Sequence, residues 1–283
     1  MIKYMFIVPL FLSINMLIGC GNDAQKYPTP EEYDFNHPVT IQLPSELNEI
    51  SGIIYYPKDT SLFAISDATG WLYKIFPNRN AAVQKWKFGK NQDYEDVQLV
   101  DSSFYILSSN GNIVKLKFSP DDSIHVEEFE FPEGKANEFE SLYYDSTSHL
   151  LNIMCKSCKH EKKDKVSIWT FNPSSDSFAL SPVTIDLNAL AKQLNQKKLE
   201  LKPSAAAINP LTNELYIISS INKVLVIADK TGTIKKAYSL NPGTYRQPEG
   251  IAFTTSGDLV ISNESADAGA ANILIMKYKK KTQ

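Results

Sequence analysis

Histidine, cysteine and helical periodicity are all scarce in this sequence, and each scarcity removes a class of function. Only four histidines occur in 283 residues. His37, His125, His149 and His160 each fall outside the repeated motif described below, so a histidine-based hydrolytic centre has no anchor. No G-x-S-x-G elbow and no phosphate loop is present. Of three cysteines, Cys155 and Cys158 stand together in "CKSCKH", with no second pair to complete a four-ligand zinc site. A redox C-x-x-C opens a helix, whereas this one closes an apolar, β-leaning run. A structural or incidental pair is favoured over a redox or metal site, and an oxidising compartment would allow a local disulfide. Charge of one sign is also lacking: the net charge is −3 with the signs interspersed, which argues against nucleic acid as a partner.

A membrane-spanning run is missing too. Crossing a bilayer takes about 20 apolar residues, but the run from Ile7 to Ile18 is shorter and is interrupted by Ser13 and Asn15. It follows the basic Lys3 and ends in "LIGC", Leu17 to Cys20, which matches a bacterial lipobox. Residues 1–19 read as a lipoprotein signal peptide and Cys20 as the lipidated first residue of the mature chain. Each buried CH₂ of an acyl chain contributes about 0.8 kcal/mol, so several chains on one cysteine hold a domain firmly on a membrane. Residues 20–36, polar and proline-bearing, read as a tether. The expected location is the cell envelope. Gly21, where aspartate would direct retention, favours the outer over the plasma membrane.

What the sequence has in quantity is sheet-forming residues, including fourteen tyrosines and fourteen phenylalanines. It also has a repeat. "EISGI" (Glu49 to Ile53), "DYEDV" (Asp93 to Val97), "EFESL" (Glu138 to Leu142), "KPSAA" (Lys202 to Ala206) and "QPEGI" (Gln247 to Ile251) align on their third residues, at steps of 44, 45, 64 and 45. A period near 45 is that of four-stranded propeller blades. Each unit divides into short apolar runs separated by turn residues, such as "ISGIIYYP", "SLFAISD", "WLYKIFP" and "AVQKWKF" in the first. The last unit lacks an outermost strand, and a spare one, residues 38–43, stands upstream of the first. The expected fold is therefore all-β, a five-bladed propeller over residues 37–283 closed by an N-terminal strand. Six blades is the alternative, raised by the step of 64. That surplus is too short for a blade and holds the one clear helical pattern, Leu187 to Lys198.

In a propeller the first strand of each blade lines the central channel. The third-position residues Ser51, Glu95, Glu140, Ser204 and Glu249 should then ring the axis. The first-position residues Glu49, Asp93, Glu138, Lys202 and Gln247 lie two along the strand and point the same way. Second-strand ends add Asp67, Ser109, Ser220 and Glu264 to the same mouth. Three glutamates about 6 Å apart at an effective dielectric of 20 repel by roughly 2–3 kcal/mol per pair. A hard divalent cation would compensate, since calcium takes six to eight oxygens. The absence of ring histidine or cysteine disfavours zinc. The candidate ligands are Glu95, Glu140 and Glu249, with Glu49, Asp67 and Glu264. The alternative is that the glutamates accept backbone hydrogen bonds from the neighbouring blade and latch the ring.

"ISGIIYYP", "YEDVQL", "FESLYYD" and "PEGIAFTTSGDLVISNE" together resemble the SdiA-regulated family of bacterial envelope propellers, distantly related to NHL-repeat proteins. The likeness runs over residues 45–280. It implies a five-bladed propeller carrying calcium near Glu95, Glu140 and Glu249, with no established activity. The sequence departs from the family pattern where Asp96 and Ser141 replace the glycine that follows the glutamate, and where blade four reads "PSAAA" in place of a Ser-Gly step. Two functions follow as expectations. One is a binding or scaffold module that presents its channel mouth to a protein or small-molecule ligand, with membrane contact through the lipid anchor. The other is a calcium-dependent hydrolase of a small ester, lactone or phosphoester, with a carboxylate as base.

Overall fold

A computed structural model describes residues 27–280 except 80, 122, 135, 160, 162 and 266–268. The expected signal peptide and Cys20 lie outside the described residues. The chain begins its sheets with β1 (Val39–Gln42). Blade one follows with β2 (Ile50–Tyr56), β3 (Ser61–Ser66), β4 (Thr69–Ile75) and β5 (Gln84–Lys87), and blade two with β6 (Tyr94–Val100), β7 (Ser103–Ser108), β8 (Ile113–Phe118) and β9 (Ile124–Phe129). Blade three has β10 (Glu138–Asp145), β11 (Leu150–Ser157), β12 (Lys165–Asn172) and β13 (Ser177–Asp186). After the helix α1 (Leu187–Gln193), blade four has β14 (Ala205–Ile208), β15 (Leu215–Ser219), β16 (Val224–Ala228) and β17 (Ile234–Ser239). Blade five ends the array with β18 (Pro248–Phe253), β19 (Leu259–Asn263) and β20 (Asn272–Met276).

Each blade is one antiparallel four-stranded sheet in chain order. In the fifth, β1 pairs with β20 and supplies the missing outer strand, Val39 opposite Ile275 and Gln42 opposite Asn272. First strands neighbour one another in a closed circle: β2 by β6, β6 by β10, β10 by β14, β14 by β18, and β18 by β2. The fold is a five-bladed propeller, and β1 covers the edge of β20 that the array would otherwise leave open.

Burial follows strand order. Strands β3, β15 and β16 are buried along their length because both faces meet neighbouring blades, so they read as apolar runs. The outermost strands β5 and β9 face solvent and carry the charges. The core is five separate clusters between adjacent blades. The one between blades one and two stacks Phe63 against Phe104, ring centroids 4.5 Å apart.

The described part of the expected tether lies against the propeller. Tyr33 and Phe35 are buried in the cluster between blades four and five. Tyr33 Oη donates to the Gly257 carbonyl at 2.7 Å and accepts from Asn209 Nδ2 at 2.9 Å. Tyr245 Oη donates to the Phe35 carbonyl at 3.0 Å. These aromatics carry the chain's apolar anchorage upstream of β1, and the polar composition around them hides it.

The surplus between blades three and four holds α1, as expected, but the helix is shorter than the pattern from Leu187 to Lys198 suggested. Asp186 caps it, Oδ1 accepting from Asn188 N and Ala189 N. Leu187, Leu190 and Ala191 face the core. The run then becomes "NQKK", which offers no apolar face, and Asn195 takes a left-handed φ of 53° that ends the helix.

Candidate functional site

The five first strands bring their N-terminal ends to one face, and the turn from first to second strand brings the second-strand ends beside them. The register makes this explicit. Ile50 faces Ser66, Tyr94 faces Ser108, Phe139 faces Cys155 and Pro248 faces Asn263. The next residue of each second strand is Asp67, Ser109, Lys156 and Glu264. Lys156 thus occupies in blade three the place that Asp67 and Glu264 hold in blades one and five. It was not singled out from the sequence, although completing the row across all five units would have found it.

A cavity of about 350 Å³ opens at this mouth. Glu95, Glu140 and Glu249 line it, together with Asp67 and Glu264, as do Asp93 and Glu138. Lys156 is the one cationic side chain in the lining. Its ammonium meets Glu138 at 3.1 Å and Glu140 more closely still. Lys202, placed in the first-position row by the repeat, is not in this lining and turns instead to a neighbouring groove.

Glu49, Asp67 and Glu264 form the tightest acidic group, with one carboxylate oxygen from each within 4.8 Å of the others. Asp67 Oδ1 is buried without a hydrogen-bond partner, and so is Asn48 Oδ1 one residue before Glu49. Burial, then the charges of Glu49 and Asp93, push the Asp67 carboxyl up to about 6. Burial, then Glu249, Asp67 and Glu49, push Glu264 up to about 8. Glu95 rises to about 9 through burial and Asp93, against a lowering pull from Lys156. Glu249 also rises through burial, opposed by its hydrogen bond with Ser220 and by Lys156. Burial holds Glu95 and Glu264 above neutrality, and the mouth carries more carboxylates than Lys156 offsets. The donors nearest one another are oxygens only, as hard cations require.

The blade-to-blade latch exists, but other residues make it. Ser51 Oγ donates to the Glu95 carbonyl, Ser204 Oγ to the Pro248 carbonyl at 2.6 Å, and Ser262 Oγ to the Ser51 carbonyl at 2.9 Å. Between blades two and three the buried Asp96 accepts from Val97 N and Leu142 N, both at 2.8 Å. Gln98 Nε2 donates to the Leu142 carbonyl at 2.9 Å. Asp96 replaces a glycine of the motif, and its carboxylate packs on Gly52, where a methyl group would collide with Asp96 Oδ1 and Cα.

Cys155 and Cys158 form a disulfide. Their sulfurs lie within reach of the Glu161 carboxylate, but bonded to each other they offer no thiolate to a metal. Among the described histidines, His37, His125 and His149 sit at exposed positions beside Asp34, Glu127 and Tyr144. No described histidine lines the mouth.

The fold is shared with several solved structures at low identity. Glutaminyl cyclase of Myxococcus xanthus superposes with a TM-score of 0.59 at 15% identity, covering 86% of this chain and 97% of that one. A luciferin-regenerating enzyme superposes at 0.53 with 10% identity, covering 85% and 95%. The calcium-binding protein regucalcin of Agrobacterium tumefaciens strain C58 superposes at 0.51 with 12% identity, covering 88% and 95%. Such identities speak for the propeller fold alone. Among curated proteins, no sequence matches the chain. The SdiA-regulated family model matches residues 31–266, from the first buried aromatics to the end of the acidic mouth, and the chain belongs to that family.

Proposed function

We propose that this protein is a calcium-binding propeller that serves as a binding or scaffold module at the cell envelope. In this reading the mature chain is held on a membrane, the outer one in a double-membrane cell, by lipid on Cys20. The observation that carries the ion is the Glu49, Asp67 and Glu264 group, with its unpartnered Asp67 oxygen. Those three would hold calcium, and Glu95 and Glu249 would stand behind them as further acceptors. Glu140 is committed to Lys156, which makes it the least suited of the six candidates. The ion would neutralise the mouth and brace it as a structural plug, leaving that face to meet a partner or ligand.

Binding takes precedence over hydrolysis because no described histidine reaches the mouth and its single lysine is already ion-paired. Titration calorimetry with calcium, with Glu264→Gln beside the parent chain, tests the ion. One saturable site lost in the variant is expected, with a higher melting temperature in calcium than in chelator, because a ligand that binds only the folded state stabilises it. Heat-silent titration with superposed melting curves would remove the calcium reading. Mass spectrometry of the N-terminal peptide, with Cys20→Ser released from membranes, tests the anchor separately.

A further inference from the structure

Beside the acidic mouth lies a second concavity of about 390 Å³ with the opposite charge. Lys156 near the end of β11, Lys163 in the connection that follows and Lys165 at the start of β12 line it, with Lys198 and Lys202 from the segment after α1. Glu161 and Glu200 are also in the wall, so lysines outnumber carboxylates five to two. Lys156 is paired with Glu138 and Glu140, but none of the other four forms an ion pair with a described residue. Val166, Leu187 and Leu201, each under a tenth exposed, lie beneath the lysines in the same lining. The Cys155–Cys158 disulfide pins one wall, and α1, capped by Asp186, fixes the approach to the other.

We propose that this groove binds a small organic oxyanion, its phosphate or carboxylate head among the lysines and its carbon body on the apolar floor. Four ammonium groups with no ion-pair partner among the described residues, drawn from two chain segments into one concavity, give it a positive potential that attracts an anion. A concave volume of this size, with an apolar base and a few convergent polar groups, is what small-ligand sites present. The surplus that broke the repeat brings Lys198 to the groove, beside Lys202 at the first position of the fourth repeat unit. It shares Lys156 with the neighbouring mouth but does not require that mouth to hold calcium.

The test is calorimetry of the full-length chain at low ionic strength, stripped of metal with chelator and then freed of chelator by gel filtration, using inorganic phosphate and butyl phosphate as probes. One-to-one saturable binding is expected, with butyl phosphate at least threefold tighter through contact with the floor. Lys165→Gln/Lys202→Gln should weaken it at least tenfold; should that double variant fail to fold, Lys198→Gln alone should weaken it at least threefold. Vesicles of phosphatidylglycerol against phosphatidylcholine separate the sources of the head group. Phosphatidylglycerol binding lost in the same variants would support the oxyanion site and name a lipid as its source. The proposal is overturned if neither probe nor vesicle saturates the chain, or if binding persists undiminished in the lysine variants.

Discussion

At the mouth of the channel the ammonium of Lys156 faces Glu138 and Glu140 directly and pulls on Glu95 and Glu249 from further off. Removing it has two consequences of opposite sign. Glu140 is left half-buried beside other carboxylates, so metal-free Lys156→Gln should be less stable by about 1–3 kcal/mol, below the figure for a fully buried pair because water reaches the site. A cation then meets a more negative mouth, so calcium should bind severalfold tighter. Chemical denaturation in chelator and calorimetry with calcium read the two effects separately. A second expectation concerns pH. Asp67 and Glu264 bind protons more tightly folded than unfolded, with folded values of about 6 and about 8. Their contribution to stability is therefore complete below about pH 4, the ordinary carboxylate range, and is lost as pH rises through 6 and 8. Metal-free protein should melt at falling temperature from pH 5 to pH 8.5, and calcium should flatten that decline. A melting temperature that climbs over this range without metal would contradict the assignment. The acids were legible in the sequence because the repeat placed them in register. Lys156 was not, since its unit offered no acid at that row and the place was left blank.

Strands show where a pattern read from one unit misleads about its neighbour. Asp96 and Ser141 look like losses of a glycine, yet Asp96 is a gain: its two oxygens take the N–H groups of Val97 and Leu142 and join blades two and three. Gly52 is then required by its neighbour, because the space a Cβ would fill is taken by Asp96 and by Val97 N at 2.8 Å. Asp96→Asn keeps the shape but turns an amide N–H₂ toward one of those donors. The cost expected is about 1–3 kcal/mol, that of a buried N–H left unpaired, measured as a lower denaturant midpoint at unchanged slope. Gly52→Ala should cost at least as much through overpacking, and Asp96→Ala should not rescue it, since the collision includes backbone. Blade boundaries, the closing strand and the helix in the surplus could be read from spacing and apolar pattern. The latch could not, because it depends on which short polar side chain meets the next blade's backbone, and serine or aspartate after a strand start has many other uses. The end of α1 escaped for a related reason: a left-handed Asn195 leaves little trace in periodicity.

On the scale of the whole ring, closure is carried by more than the four residues of β1. The segment upstream threads Tyr33 and Phe35 between blades four and five, and their polar atoms are satisfied from both. Burying two such rings stabilises by about 1.5–3 kcal/mol each, and the β1 ladder adds roughly 1 kcal/mol per hydrogen bond. The composition of residues 20–36 reads as a tether because two aromatics among polar residues and prolines make no pattern. Two truncations separate tether from clasp. A chain starting at Tyr27 should melt like the full-length protein, because every described contact of the clasp is kept. A chain starting at Pro44 loses both rings and β1, and exposes β20 as a free apolar edge open to pairing with other chains. It should be unfolded or aggregated at 25 °C by circular dichroism and size-exclusion chromatography. If instead it eluted as a monomer with an unchanged melting curve, the ring would be held by its five inner strands alone, and the N-terminal segment would be a passenger rather than a clasp.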